Sequence, residues 1–171
     1  PGMRVALVHD YLTQYGGGER MLETLAEIFP RAPIYTLIYD AKATGYAFNN
    51  RDIRTSFLQN VPLSRIYFRS LPWLMPLAIE QFDFSNYDLV ISNSTSYAKG
   101  IITKPKTRHI SICPTPPRYL WHDAHQSIGD FSFPRIIKPL IPFFTSYLRV
   151  WDFEASHRVD EFIAISNFIK N

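Results

Sequence analysis

Three consecutive glycines, Gly16, Gly17 and Gly18, stand where an apolar run gives way to an amphipathic pattern that begins at Glu19. Glycine lets another group approach the backbone closely, and the first amides of a helix point outward at the positive end of the helix dipole. A phosphate or diphosphate is the ligand that suits such a turn, so Gly16, Gly17, Gly18 and Glu19 are candidates for the acceptor or phosphate site. The spacing matches neither G-x-G-x-x-G nor the P-loop, so a plain flexible loop is the alternative.

Polar side chains also follow two of the predicted strands directly. His9 comes at the end of the first apolar run, and Asn93 and Ser94 follow the run at residues 87–92. Open α/β sheets bind ligands at the carboxyl ends of their strands, so these side chains are candidates for contacting a sugar or a phosphate. The alternatives are a buried structural histidine and, for Asn93 and Ser94, the capping of a short helix.

A third group of candidates follows the run at residues 108–113. Thr115 supplies a hydroxyl, Arg118 a guanidinium whose fork suits phosphate, and Tyr119 an aromatic face. Tyr119 and Trp121 are suited to stacking on a sugar, with buried packing as the alternative.

The elements that must position these residues follow from periodicity. An unbroken apolar run such as residues 5–10 is typical of a strand buried on both faces of a parallel sheet, whereas the one-sided stripe of residues 19–29 indicates a helix that ends before Pro30. Further strands are predicted at residues 33–40, 53–57, 87–92, 108–113 and 162–166. One helix is predicted to end near residue 82, and a long helix is predicted within residues 136–159, starting near Pro142. The last helix has a predicted buried stripe of Phe144, Tyr147, Leu148, Trp151, Ala155 and Val159. The fold class is therefore α/β, a Rossmann-like three-layer arrangement with six or more parallel strands and helices on both faces.

Composition fits one globular domain. The 171 residues are 46% apolar and 19% charged, which excludes a disordered chain. Pro1 and Gly2, ahead of Met3, are interpreted as a cloning remnant, and residues 3–171 as a single domain. The single cysteine, the lack of a signal-like segment after Met3 and the lack of an apolar run of about 20 residues favour a cytoplasmic location.

Charge is distributed unevenly. Residues 89–151 carry eight basic and only two acidic side chains, whereas the rest of the chain has a net charge of −3. A basic face suits a phosphate-bearing ligand or an anionic membrane, and a solvated face is the alternative. No nucleic acid partner is predicted.

Residues 57–75 mix apolar and aromatic residues with arginine, as do residues 131–144 with Arg135 and Lys138. This composition is typical of segments at a lipid interface, so the protein is expected to lie on the inner face of a membrane as a peripheral protein. Packing on the core is the alternative. The residues predicted to contact the membrane are Arg65, Phe68, Arg69 and Trp73.

Four stretches, in this order, resemble the amino-terminal part of the family 4 glycosyltransferases, the "glycosyl transferases group 1" type, and together cover nearly all of residues 4–168. They are Val8-His9-Asp10-Tyr11 with Gly16-Gly17-Gly18-Glu19-Arg20, Tyr87-Asp88-Leu89-Val90-Ile91-Ser92, Thr115-Pro116-x-Arg118-Tyr119-x-Trp121, and Ala164-Ile165-Ser166-Asn167-Phe168.

The resemblance implies one lobe of a retaining GT-B enzyme, a hexosyltransferase of polysaccharide biosynthesis. It implies a nucleotide-sugar donor, a glycan or polyprenyl-linked acceptor held by this lobe, and no metal or other cofactor. The catalytic glutamates of the family belong to a second, carboxyl-terminal lobe, so the 171-residue chain alone is expected not to transfer sugar. Glu19 and Glu27 show a similar spacing on the first helix, which we interpret as chance.

One position departs from the family pattern. Relatives with the Cys-x-Thr-Pro run usually have histidine at x, where this chain has Pro114, and the departure bears on the acceptor chemistry. His122-x-x-His125 lacks the further ligands that zinc needs, so no metal site is predicted.

Two other functions stay open: a catalytically silent module that binds a glycolipid or a membrane, and an unrelated nucleotide-binding Rossmann domain in which Asp40 would bond a ribose.

Overall fold

A six-stranded parallel sheet forms the centre of the molecule. The computed structural model describes residues 2–61, 72–113 and 138–164, with only the backbone of Lys138. The strands are β1 (Val5–His9), β2 (Ile34–Thr36), β3 (Ile53–Thr55), β4 (Leu89–Asn93), β5 (Arg108–Cys113) and β6 (Glu161–Ala164). Their order is β3-β2-β1-β4-β5-β6, and every neighbouring pair is parallel. This is the order of the dinucleotide-binding Rossmann sheet, so the predicted α/β class is confirmed.

Helices cover both faces of the sheet. They are α1 (Gly17–Ile28), α2 (Met75–Glu80) and α3 (Ile141–Ser156), with short 3₁₀ helices at Phe57–Asn60, Pro72–Leu74, Ala98–Gly100 and Lys138–Leu140. On one face α1 packs over Leu7 and Ile91, and on the other α2 and α3 pack over Val8 and Val90. Neighbouring residues of β1 and β4 thus enter opposite cores, which explains why their apolar runs are continuous rather than alternating.

One predicted strand was too long. The strand predicted at residues 33–40 ends at Thr36, because the chain then pairs with the residues that follow β1: Leu12 and Tyr39 form an isolated bridge. The last long helix begins at Ile141, after a 3₁₀ turn, next to the start predicted near Pro142, and it ends at Ser156, three residues before the predicted end.

The predicted stripe of the last helix was also partly wrong. Leu148, Trp151 and Ala155 are buried as expected, but Tyr147 is 44% exposed. Ile141 is buried on the same face, so its apolar residues are Ile141, Leu148, Trp151 and Ala155, at spacings of seven, three and four residues. Tyr147 lies at the border of this face, with its ring partly in solvent.

Polar contacts anchor the buried face of α3. The indole nitrogen of Trp151 donates to Glu80 of α2 at 2.8 Å, and Arg158 donates to the same carboxylate and to the carbonyl of Gly100. Lys99 and Asp152 form an ion pair with 2.7 Å between Nζ and Oδ1, and both side chains are buried. Removing either partner would leave an uncompensated charge in the core, so this pair fixes where α3 lies.

Replacing Gly100 by alanine is expected to destabilise the fold by about 1–3 kcal/mol. A Cβ at this position would lie 2.3 Å from Cζ2 of Trp151 and 3.3 Å from Cβ of Ala155, and the hydrogen bond to Glu80 keeps the indole from moving aside. Urea unfolding measures the loss. Gly17→Ala is the control, because a Cβ there meets nothing within 4 Å. Equal midpoints for the two variants would show that the contact with Trp151 is not tight.

Candidate functional site

The candidate site lies where the chain reverses its direction of progress across the sheet. From β1 the chain crosses to β2 and β3 on one side, and β4 then returns to pair with the other side of β1. In open α/β sheets, the crevice that binds ligands lies outside the carboxyl ends of two such strands. His9 ends β1, Asn93 ends β4, and the two residues are register partners.

His9, Gly18, Glu19 and Asn93 form one hydrogen-bonded group at this crevice. Nδ1 of His9 lies 3.0 Å from the carbonyl oxygen of Asn93, and the Asn93 amide donates to the carbonyl of Gly18 at 2.7 Å. Nε2 of the same ring lies 3.5 Å from Oε1 of Glu19, so the imidazole stands between a carbonyl and a carboxylate, both of which accept hydrogen bonds. The structure therefore brings together predicted residues that lie up to 84 positions apart.

The carboxylate of Glu19 occupies part of the amino terminus of α1. Its Oε2 accepts from the amide of Gly16 at 2.8 Å. Burial raises the pKa of Glu19, but hydrogen bonds from His9 and from the amides of Glu19 and Gly16 outweigh it, so the pKa lies below its usual value. The residue stays ionised at neutral pH and caps the helix electrostatically.

Two amides remain for a ligand at this turn. Among the described residues, none accepts a hydrogen bond from the amide of Gly17 or Gly18, and Gly17 is exposed. The amide of Gly16 is already bonded to Glu19. Of the three glycines predicted to contact a phosphate, only Gly17 and Gly18 therefore keep an amide that could do so.

Asp10, which sequence reasoning did not single out, organises the loop after β4. Its carboxylate is 4% exposed and accepts six hydrogen bonds. The donors are the hydroxyls of Ser94 and Thr95, at 3.2 and 3.1 Å, and the amides of Thr95, Ser96, Tyr97 and Ala98, at 2.9, 2.9, 2.8 and 2.6 Å. The capping expected from Asn93 or Ser94 comes from Asp10 instead, and Ser94 is one of its donors. The available signal was an acidic residue directly after a buried strand.

A second polar group lies under α3 and apart from the crevice. The hydroxyl of Ser92 and Nε2 of His109 are 2.8 Å apart, and both residues are fully buried with Ser111 beside them. Burial lowers the pKa of His109 to about 4, against smaller opposing effects of the Arg158 backbone and of Asp160. His109 is thus a buried and neutral histidine.

Several predicted residues lie outside the described part of the chain. They are Thr115, Arg118 and Tyr119 of the predicted cleft and Arg65, Phe68 and Arg69 of the predicted membrane contact, together with Pro114, His122, His125 and Arg135. Trp73 is described, and its ring stacks on Phe144 with 4.9 Å between centroids. Within the described ranges, no group of three or more histidine, cysteine, aspartate or glutamate side chains is placed to hold a metal ion.

An open cavity of about 600 Å³ lies at the opposite edge of the sheet, beside the amino ends of β1 and β3. No sequence prediction falls there. Its arginines are partly engaged: Arg4 pairs with Asp88, and Arg54 pairs with Asp52 and bonds the hydroxyls of Tyr35 and Tyr87.

Comparison with models of known families, with curated proteins and with solved structures finds no significant match to this chain. In the described part of the chain, no helix has both the length and the apolar character needed to cross a bilayer.

Asp10→Asn is expected to cost about 2–5 kcal/mol of folding free energy. Each carboxylate oxygen faces two backbone amides, Oδ1 those of Tyr97 and Ala98 and Oδ2 those of Thr95 and Ser96. An asparagine NH₂ group would therefore oppose two donors in either orientation. Urea unfolding measures the change.

Asp40→Asn is the matched control for this substitution. Asp40 accepts from the amides of Lys42 and Ala43 through a single oxygen, Oδ1, which asparagine retains. We expect a change of less than about 1 kcal/mol. Similar losses for the two variants would contradict the role given to Asp10.

The stability of the chain should fall as the pH drops from about 6.5 to about 4, partly through His109. The unfolded histidine takes up a proton near its ordinary pKa of 6.5, whereas the folded one does so only near 4. Above pH 6.5 the burial of the neutral ring costs the folded state no proton. Below pH 6.5 the free energy of unfolding falls by up to about 1.4 kcal/mol per pH unit, about 3 kcal/mol in all by pH 4. His109→Gln removes the proton but keeps a partner for Ser92, so its unfolding free energy should show a shallower pH slope. Parallel slopes for the two proteins would rule the effect out.

Proposed function

We propose that this chain is the acceptor-binding amino-terminal lobe of a glycosyltransferase of the GT-B type, which moves a sugar from a nucleotide-sugar to a glycan or polyprenyl-linked acceptor. The proposal starts from the family resemblance of the four ordered stretches. One structural observation supports it most: His9, Gly16, Gly17, Gly18, Asn93 and Ser94, all proposed as cleft residues, meet at the crossover between β1 and β4.

A polyprenyl-linked acceptor carries a diphosphate, and the crevice offers groups suited to it. The exposed amide of Gly17 and the neighbouring amide of Gly18 are donors at the positive end of the α1 dipole. The carboxylate of Glu19, held by His9 and Gly16, disfavours an anion at Gly16. The diphosphate would thus contact the two free amides, and Arg118 is proposed as its cationic partner.

The nucleotide-binding alternative receives less support. In that function an acidic side chain at the end of β2 bonds the ribose, and Asp40 was the candidate. In the structure β2 ends four residues earlier, at Thr36, and Asp40 caps the turn that follows it by accepting from Lys42 and Ala43. One oxygen of its carboxylate, Oδ1, therefore already accepts two hydrogen bonds from the backbone of this turn.

The proposal assigns donor binding and catalysis to a carboxyl-terminal lobe. The 171-residue chain should therefore bind an acceptor without releasing nucleotide from nucleotide-sugars. Glu19 and Glu27 do not change this expectation, since Glu19 is buried as a cap and Glu27 is exposed elsewhere on α1.

Gly17→Pro tests the amide contact. Position 17 is the first residue of α1, where proline is well tolerated and its missing N–H removes only a group without an intrahelical partner. Titration calorimetry with a short-chain polyprenyl diphosphate-sugar should show binding to the unmodified chain and a loss of about tenfold for Gly17→Pro, the worth of one hydrogen bond to a charged group.

Gly17→Ala, which keeps the amide, is the control and should bind as the unmodified chain does. A nucleotide-sugar and the same polyprenol without its diphosphate complete the comparison, and both should bind more weakly. Preferential binding of the nucleotide-sugar would favour the Rossmann alternative, and equal affinity of the proline and alanine variants would remove the glycine amides from the site.

A further inference from the structure

The outward face of α3 carries an unbroken row of large apolar side chains. They follow one another at spacings of three and four residues, which keeps them on one side of a helix for about 20 Å. This α3 stripe consists of Leu140, Phe143, Tyr147, Val150 and Phe153, with exposed fractions of 52, 72, 44, 65 and 56%. A soluble surface rarely leaves so many large apolar groups together, so the stripe marks a contact surface.

The stripe is separate from the packing of α3 on the sheet. The buried side of the helix is already complete, with Leu148, Trp151 and Ala155 in the core and Asp152 paired to Lys99. Turning the helix to bury the stripe would break the hydrogen bond of Trp151 to Glu80 and expose that ion pair. The stripe is thus available to a partner without any change of fold.

An aromatic group extends the surface at the amino end of α3. Trp73 stacks on Phe144, whose ring also contacts Phe143 edge-on with 5.9 Å between centroids. Leu77, on α2 close by in the chain, is 60% exposed. The contact between Trp73 and Phe144 joins two chain segments that lie far apart in sequence.

The charge of these two segments identifies the partner. Residues 57–79 and 131–151 together carry five basic side chains, and all fifteen acidic side chains of the protein lie outside them. On α3 itself the exposed acid is Glu154, beyond the stripe at the carboxyl end of the helix. Segments that combine apolar and aromatic residues with basic residues and no acid complement a surface with an acyl interior and anionic headgroups.

We infer that the α3 stripe, with Trp73, docks on an anionic phospholipid surface. The helix lies in the interface with its apolar side chains below the headgroups, while Tyr147 and Trp73 lie at headgroup level. This places the principal contact on α3 rather than on residues 57–75. The inference goes beyond the proposed function and does not require it, because docking needs neither acceptor nor donor.

Vesicle sedimentation of the 171-residue chain tests the inference. Binding to phosphatidylcholine vesicles should be weak, should rise as phosphatidylglycerol is added and should fall with salt as charges are screened. Val150→Glu and Phe143→Ser should each lower the partition coefficient by about tenfold, because each removes a large apolar group from the buried contact.

Ile28→Glu is the matched control. Ile28 is 63% exposed, almost the same as Val150, and lies on α1, which covers the opposite face of the sheet. All three side chains are exposed, so the variants should keep the urea midpoint of the parent. Ile28→Glu should bind anionic vesicles as the parent does.

Three results would overturn the inference. One is the absence of any preference for anionic over neutral vesicles at low salt. Another is an equal loss of binding for Ile28→Glu and Val150→Glu. The third is a dimer in light scattering that Val150→Glu and Phe143→Ser convert to monomer, since the stripe would then belong to a second copy of the chain.

Discussion

The buried carboxylate of Asp10 is the contact on which the rest of the crevice depends. Strand β1 ends one residue before it, and its two oxygens collect six donors from residues 94–98. Without these bonds the amides of Tyr97 and Ala98 would be left buried with no partner, and those of Thr95 and Ser96 would lose theirs at the surface. Asp10 thereby fixes the turn after β4 and the 3₁₀ helix Ala98–Gly100, and that helix in turn supplies the surface on which Trp151 of α3 packs. One side chain thus links the edge of the sheet where β1 and β4 end to the packing of α3.

Buried polar side chains also bond to one another at the crevice itself. His9, Glu19 and Asn93 are polar, but each is nearly buried and bonded to another member of the group. Their bonds hold the glycine turn in place, and the amides of Gly17 and Gly18 have no acceptor among the described residues. An anion bound there, as we propose, would require little reorganisation, because the dipole of α1 and these amides are already oriented.

Helix α3 shows how one element serves two environments. Its buried face is specific, since it combines apolar packing with the Lys99–Asp152 ion pair and the bond from Trp151 to Glu80. Its outer face carries the exposed apolar side chains of the α3 stripe, which we infer to meet a second apolar phase. Helical periodicity alone cannot assign such a helix, because large apolar side chains occur all around it and only packing decides which of them are buried.

The sequence by itself determined the fold class and most of the elements. Strands β1, β4 and β5 and helix α1 were predictable because continuous apolar runs and a one-sided stripe each have one favourable conformation, and His9 and Asn93 could be placed at strand ends for the same reason. The tertiary structure alone decided which strands are neighbours, that Asp10 caps a loop beginning 84 residues later, and that Tyr147 faces outward while Ile141 is buried. Local patterns encode whether a residue prefers burial or a helical backbone. They do not encode which distant donor meets a given carboxylate, because that depends on the order of strands in the sheet, and the sheet order is fixed only when the whole core packs.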